Sequence, residues 1–156
     1  MITILQRAAH SSVVIDGETV GKGGKGLLIL AGVEKGDDEK DAELLAEKIL
    51  KMRIFEDENG KMNLSVTDIG GDVVIVPNFT LLAAYKKGNR PDYTNSAYPD
   101  EAKRLFCYFC DYMKSRIHTE TGVFGADMKV SLLNDGPVTI HMDSRVLKRE
   151  RESFAP

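Results

Sequence analysis

The chain has 156 residues, 42% of them hydrophobic and 29% charged, which supplies one compact core and leaves no room for a second domain. A formal net charge of −3 argues against a protein that grips nucleic acid along many phosphates, so any RNA contact is expected to be local. There is no apolar run of about eighteen residues and no basic region ahead of a long apolar stretch at Met1–Arg7, which argues against a helical membrane span and a secretory signal. Two cysteines and six methionines without a disulfide-type framework point to a reducing cytoplasm.

In chain order, Ile2 to Ile15 alternates as a strand, and Asp16-Gly17 is a two-residue turn signal before Glu18-Thr19-Val20. Gly21-Lys22-Gly23-Gly24-Lys25-Gly26 lacks the spacing and the Lys-Ser/Thr ending of a phosphate-binding loop, so it reads as a flexible turn. Leu27 to Val33 is a continuous apolar run of strand length, buried on both faces. Asp37 and Asp38 offer N-caps to a helix whose apolar stripe is Ala42, Leu45, Ala46, Ile49 and Met52. Its charged residues, among them Glu39, Asp41 and Glu43, read as a solvated face. Arg53-Ile54-Phe55 is extended, Asn59-Gly60 turns, and Asp72 to Val76 is a second buried strand that runs into Pro77-Asn78-Phe79-Thr80-Leu81.

Lys86 to Tyr98 is loop-like, carries Arg90 and Tyr93, and has a length often used for binding. Pro99 with Asp100 and Glu101 starts a second helix to about His118, with Ala102, Leu105, Phe106, Phe109 and Met113 inward. After Gly122, Met128, Val130 and Leu132 alternate, then Val138, Ile140 and Met142, as two strands sharing a buried face. Between them Asn134-Asp135-Gly136-Pro137-Val138-Thr139 reads as a hairpin tip. An X-Pro bond is trans far more often than cis, so the local sequence reads as an ordinary turn. Strands followed by single helices, with hairpins at both ends, predict an α+β fold: a mostly antiparallel, barrel-like sheet with two packed helices. Residues 1–145 form the single domain, and residues 146–156 a charged, frayed tail.

Little in the composition points to conventional catalysis. Cys107 and Cys110 have CxxC spacing but fall mid-helix, away from the N-terminus that would lower a thiol pKa, and so read as core packing. His10, His118 and His141 are scattered without a metal-ligand spacing. His141 and Asp143 on one strand face are a weak alternative. There is no Gly-x-Ser-x-Gly elbow and no evident partner for a nucleophile. An enzyme of this composition works through backbone donors and positioning, or borrows a reactive group from its substrate.

Several pieces taken together resemble the D-aminoacyl-tRNA deacylases: Gln6-Arg7, Arg53-Ile54-Phe55, Lys61-Met62-Asn63, Phe79-Thr80-Leu81, Gly88-Asn89-Arg90-Pro91, Phe124-Gly125-Ala126-Asp127-Met128 and the stretch Asn134 to Thr139. The resemblance runs in order from residue 1 to about 143. It implies a cytoplasmic homodimer without metal or cofactor that hydrolyses the ester of D-aminoacyl-tRNA, and of glycine mischarged on tRNA-Ala. In the family picture the Gly136-Pro137 bond is cis and enters the partner subunit's pocket to hold the substrate's α-amino group. A D-residue then points its side chain outward, whereas an L-residue drives it into backbone.

The resemblance makes Thr80, Phe79 and Asn78 the catalytic element, which presents backbone N–H groups to the ester beside the terminal adenosine of the tRNA 3′ end. The ribose 2′-hydroxyl assists attack. Gly136, Pro137, Arg7, Met128, Ala126, Arg90 and Tyr93 form the substrate-binding set, with Arg7 propping the Gly-Pro motif. The family's usual Ser-Gln before Phe-Thr-Leu is Pro77-Asn78 here. A sister branch acting on L-alanyl-tRNA also starts this element with proline. The retained Asn134–Thr139 pattern and Arg7 favour D-selectivity. The alternatives are an L-alanyl-type specificity and a catalytically weak module that binds aminoacyl-tRNA; metal-dependent hydrolysis ranks below both.

Overall fold

The computed structural model describes residues 1–152, with side chains through Lys148. In order, the elements are β1 (Ile2–Ile15), β2 (Glu18–Gly23), β3 (Gly26–Gly32), α1 (Glu39–Lys51), β4 (Phe55–Glu56), β5 (Met62–Leu64), β6 (Asp72–Pro77), a short 3-10 helix (Phe79–Leu82), α2 (Pro99–Lys114), β7 (Thr119–Thr121), β8 (Lys129–Asp143) and α3 (Ser144–Glu152). The main sheet runs β2-β1-β3-β6-β7, and β8 also pairs with β1. Its ends approach one another: a Cβ at Gly21 of β2 would sit 3.1 Å from the Thr121 carbonyl oxygen of β7. The sheet is therefore a nearly closed, barrel-like one.

The sheet is mixed rather than mostly antiparallel, because β3 with β6 and β6 with β7 are parallel pairs. The cause lies in the connections. The α1 segment carries the chain from β3 to β6 and α2 carries it from β6 to β7, and a helical crossover returns the next strand in the same direction. A third helix, α3, stands where the sequence predicts a frayed tail. Buried Ser144 starts it, and Lys148 donates to Asp41 at 2.8 Å. Residues 153–156 of that expected tail lie outside the described residues.

Asp41 also departs from the expected solvated face of α1. It is 1% exposed and closes a capping box with Asp38, accepting from the Asp38 N–H at 2.9 Å while Asp38 accepts from the Asp41 N–H at 3.1 Å. Burial pushes the Asp41 carboxyl up, but the hydrogen bonds from Lys148 and the Asp38 backbone outweigh it and hold the group well below the usual carboxylate range.

The strands separate two apolar faces. On one, Leu27, Ile29, Val73 and Ile75 pack under α1 and α2, against Leu45, Ile49, Leu105, Phe106, Phe109 and Met113. On the other, Val13, Leu28, Val74 and Val76 form a smaller cluster, edged by the half-buried Leu30, Met128, Val130 and Leu132. Among the described residues no helix covers this second face; it is open.

The expected final hairpin is one strand. Both halves of β8 pair with β1, from Val14↔Lys129 through Ala8↔Asn134 to Gln6↔Thr139 and Ile2↔Asp143. A 14-residue β1 is long enough to template both halves, so they have no need to pair with each other. Between the Ala8 and Gln6 pairs, Arg7 stands opposite the whole Asp135–Val138 segment, which bulges out of the ladder. The two halves consequently bury opposite faces: Val130 and Leu132, with Met128 just ahead of the strand, the open one, and Val138, Ile140 and Met142 the helix-covered one.

Candidate active site

Strand β6 ends at Pro77, and the Asn78 N–H donates to the Ala31 carbonyl at 2.8 Å, which continues the alignment with β3 and fixes where the chain turns. Asn78 then caps the 3-10 helix: its Oδ1 accepts from the Thr80 N–H at 3.2 Å and also from the Thr80 hydroxyl. The short carboxamide thus folds back on its own turn. The Phe79 N–H meets no acceptor among the described residues. This turn borders a cavity of about 640 Å³ on the open face, lined by Asn78, Phe79, Thr80, Ala126 and Met128 together with Pro77, Gln6 and Phe124. Leu28, Leu30, Val130 and Leu132 make its floor apolar.

The electrostatics of the cavity are sparse. Among the described residues Asp127 is the one titratable side chain on its wall, and that carboxylate is 87% exposed and paired with Lys129 at 3.0 Å. The Thr80 hydroxyl donates to a neutral carboxamide, which cannot accept its proton as a general base. Threonine as an activated nucleophile finds no support in this geometry. A second, more apolar cavity of about 370 Å³ shares Asn78, Phe79, Phe124 and Gly125 with the first, so the Phe79 ring, 57% exposed, stands between the two. Cys110 packs in the core, where burial pushes its thiol up to about 12; Cys107 is exposed instead.

The structure divides the expected site residues into two groups. Thr80, Phe79, Asn78, Ala126 and Met128 meet at the cavity. Arg7, Gly136 and Pro137 meet at the β8 bulge. There the Gly136-Pro137 peptide bond is cis and both residues are exposed, yet neither lines the cavities of its own chain described above. Arg7 is 7% exposed and donates from Nε to the Asp135 carbonyl and from a terminal guanidinium nitrogen to the Ile54 carbonyl, both at 2.8 Å. Asn134 ties the base of the bulge, donating to the carbonyls of Arg7 at 3.1 Å and Val138 at 3.0 Å. Gly136 has φ +139, a region that disfavours any side chain, and a Cβ there would meet the Val138 nitrogen at 2.9 Å.

Tyr93 lines neither cavity but sets its ring edge-on to Phe79 at 5.0 Å, and Arg90 is exposed on the loop beyond. Gln6 and Phe124 lie on the cavity wall although the sequence reading gives them no role. Gln6 also links the two groups: its amide donates to the Thr139 hydroxyl at 3.4 Å, and that hydroxyl donates to the Asn134 carboxamide at 3.5 Å. Alternation along β1 carries the signal for Gln6, since it puts a polar residue on the face opposite Leu5 and Arg7.

A family model described as D-Tyr-tRNA(Tyr) deacylase matches residues 4–143. The chain belongs to that family, and with it to the hydrolases that act on aminoacyl-tRNA. It is 52% identical over 145 residues to a D-aminoacyl-tRNA deacylase of Kosmotoga olearia, spanning 93% of this chain and 98% of the relative. A D-aminoacyl-tRNA deacylase of Yersinia pestis is 54% identical over 140 residues, 89% of this chain and 97% of the relative. Among solved structures, a c-Myc DNA unwinding element binding protein aligns with a TM-score of 0.87 at 35% identity, over 92% of this chain and 98% of that one. A probable eukaryotic D-amino acid tRNA deacylase aligns with a TM-score of 0.75 at 16% identity, over 91% of this chain and 98% of that one, which speaks for the fold alone.

Proposed function

We propose that this chain hydrolyses the ester that joins a D-amino acid to the 3′ end of tRNA, in the cytoplasm and as a homodimer, with Gly136-Pro137 of one subunit entering the cavity of the other. One observation carries the reading. The cavity beside Phe79-Thr80 has an apolar floor and, among the described residues, no general base for Thr80, while the exposed Gly136 and Pro137 line neither this cavity nor the smaller one beside Phe79 in their own chain. Family membership supplies the substrate class. Two copies joined through their open faces would cover Leu30, Val130 and Leu132 and bring each bulge to the other's cavity.

In this arrangement the chemistry rests on positioning. An aminoacyl ester is already activated, so orientation and a few dipoles suffice. The Phe79 N–H is the free donor for the oxyanion, the Thr80 N–H being held by Asn78. The substrate's own ribose 2′-hydroxyl supplies the assistance that the cavity wall lacks. The Gly136 and Pro137 carbonyls hold the α-ammonium, and a main-chain wall cannot yield by changing rotamer, so an L side chain is refused. Glycine, with no side chain, passes the same filter, which makes glycyl-tRNA a second substrate.

Incubation with matched D- and L-tyrosyl-tRNA tests this reading. The D-ester is hydrolysed and the L-ester is spared by a factor of at least about a hundred, equivalent to about 2.7 kcal/mol at the transition state. Equal rates defeat it. Preference for L-alanyl-tRNA would transfer the specificity to Pro77-Asn78, and tight binding of an aminoacyl-adenosine analogue without turnover would make the protein a binding module.

A further inference from the structure

Beyond the catalytic cavity, one surface combines features that the hydrolytic chemistry does not use. The chain leaves the 3-10 helix at Leu82 and makes a small antiparallel loop closed by the Ala84 and Asp92 backbones, which exchange hydrogen bonds at 2.7 and 2.8 Å. Its tip is Gly88, at φ +68, and it displays Tyr85, Lys86, Lys87, Asn89 and Arg90, all exposed. Among the described residues none of the three cations forms an ion pair. The loop's own carboxylate, Asp92, is turned back to accept from the Thr94 N–H at 2.8 Å. Three unpaired cations within five residues are a local exception in a chain of net charge −3.

Tyr85 is 81% exposed, the most exposed large hydrophobic side chain among the described residues. Tyr98, by comparison, has Lys35 set over its ring at 5.3 Å. Both feet of the loop are tied to the cavity rim. The Ala83 N–H donates to the Thr80 carbonyl at 3.2 Å at one foot, and Tyr93 leans on Phe79 at the other. Tyr85 lies five positions after Thr80, a reach of at most about 18 Å.

We infer that the loop 84–92 is a binding platform for the single-stranded nucleotides that precede the terminal adenosine, with Tyr85 stacking on a base and Lys86, Lys87 and Arg90 meeting the phosphates. An exposed aromatic among unpaired cations suits a flexible single strand: the π-face accepts any base and the cations follow the backbone. Rigid duplex RNA would call for a wider basic surface than this acidic chain presents. The inference rests on the deacylase reading and extends it, assigning the recognition of the RNA to a surface outside the cavity.

The test compares two substrates, D-tyrosyl-tRNA and the minimal ester D-tyrosyl-adenosine, which lacks the preceding nucleotides, across wild type, Tyr85→Ala, Tyr85→Phe and the double variant Lys86→Ala/Lys87→Ala. On tRNA, Tyr85→Ala raises KM about tenfold, the order of one lost base stack, with kcat kept, and Tyr85→Phe restores it. The lysine double variant raises KM on tRNA, and its log–log salt dependence flattens by about 1.4, two phosphate contacts at about 0.7 each. All variants match wild type on the minimal ester. Unchanged KM and salt slope on tRNA overturn the platform while leaving the deacylase reading intact, and equal losses on both substrates show that the loop shapes the cavity instead. A wild type inactive on both esters sinks the deacylase reading itself.

Discussion

The two faces of the sheet are built from the same strands by the same alternation, yet they end differently. Leu27 and Ile29 are sealed under α1 and α2, whereas Leu28 and Leu30, their neighbours in sequence, look into an open cavity. Burial at one face is the source of stability, and incomplete burial at the other is the condition for a site. Strand β8 serves both, because the Asp135–Val138 bulge exchanges its inward and outward residues midway. A shift that leaves the two halves of a strand out of phase moves every side chain to the other face, and here it turns one strand into a core element and a cavity wall.

The sharpest way to break this contrast is to damage each face in turn. Phe109→Ala empties a fully buried site under α2 and is expected to cost about 3–5 kcal/mol in urea unfolding. On the open face, Leu132→Asp is expected to change the stability of the chain by less than about 1 kcal/mol while abolishing the proposed dimer in size-exclusion chromatography and the turnover of D-tyrosyl-tRNA. A Leu132→Asp protein that stays dimeric and active would show that the open face is not the mating surface.

A smaller effect separates backbone from side chain within the site. Gly136→Ala places a Cβ against the Val138 backbone and the Arg7 guanidinium, and kcat/KM for D-tyrosyl-tRNA is expected to fall about a hundredfold, about 2.7 kcal/mol. Thr80→Ala removes only a hydroxyl bound to the Asn78 carboxamide, and a loss below about tenfold is expected. The reverse ranking would return the chemistry to the threonine side chain.

The smallest effect is on acid stability. Because the folded Asp41 carboxyl lies below its unfolded value, its contribution is fully present above about pH 4 and is lost as the pH falls through the folded value. Lys148 is one-third exposed, so solvent screening limits the difference to about 1 kcal/mol. Urea midpoints measured from pH 6 down to pH 2 should therefore fall more steeply for wild type than for Asp41→Asn; parallel curves would show that the α1–α3 pair adds nothing.

Much of this division was legible in the residues. Period-two patterning exposes β1, continuous apolar runs expose β3 and β6, and three-and-four spacing with Asp38 or Pro99 in front exposes both long helices. What could not be read is what alternation leaves undetermined. The two runs flanking Gly136-Pro137 look like partners in a hairpin, and only the length of β1, able to pair with both, makes them one strand. Parallel pairing followed from the helical connections rather than from any strand residue. Asp41 looks solvated by composition and is buried because α3, unseen in a charged stretch, brings Lys148 onto it. In the site, the motif residues were readable one by one, but their separation into a cavity group and a bulge group belongs to three-dimensional placement.

That separation is tested most directly by mixed dimers. Co-expression pairs a bulge variant, Gly136→Ala/Pro137→Ala, with a cavity variant, Ala126→Phe, each inactive alone. If the bulge acts across the two-fold axis, a random mixture contains heterodimers with one intact cavity facing one intact bulge, and recovers about one quarter of wild-type turnover of D-tyrosyl-tRNA. A mixture that forms heterodimers and stays inactive would place bulge and cavity in service to the same subunit and contradict the account.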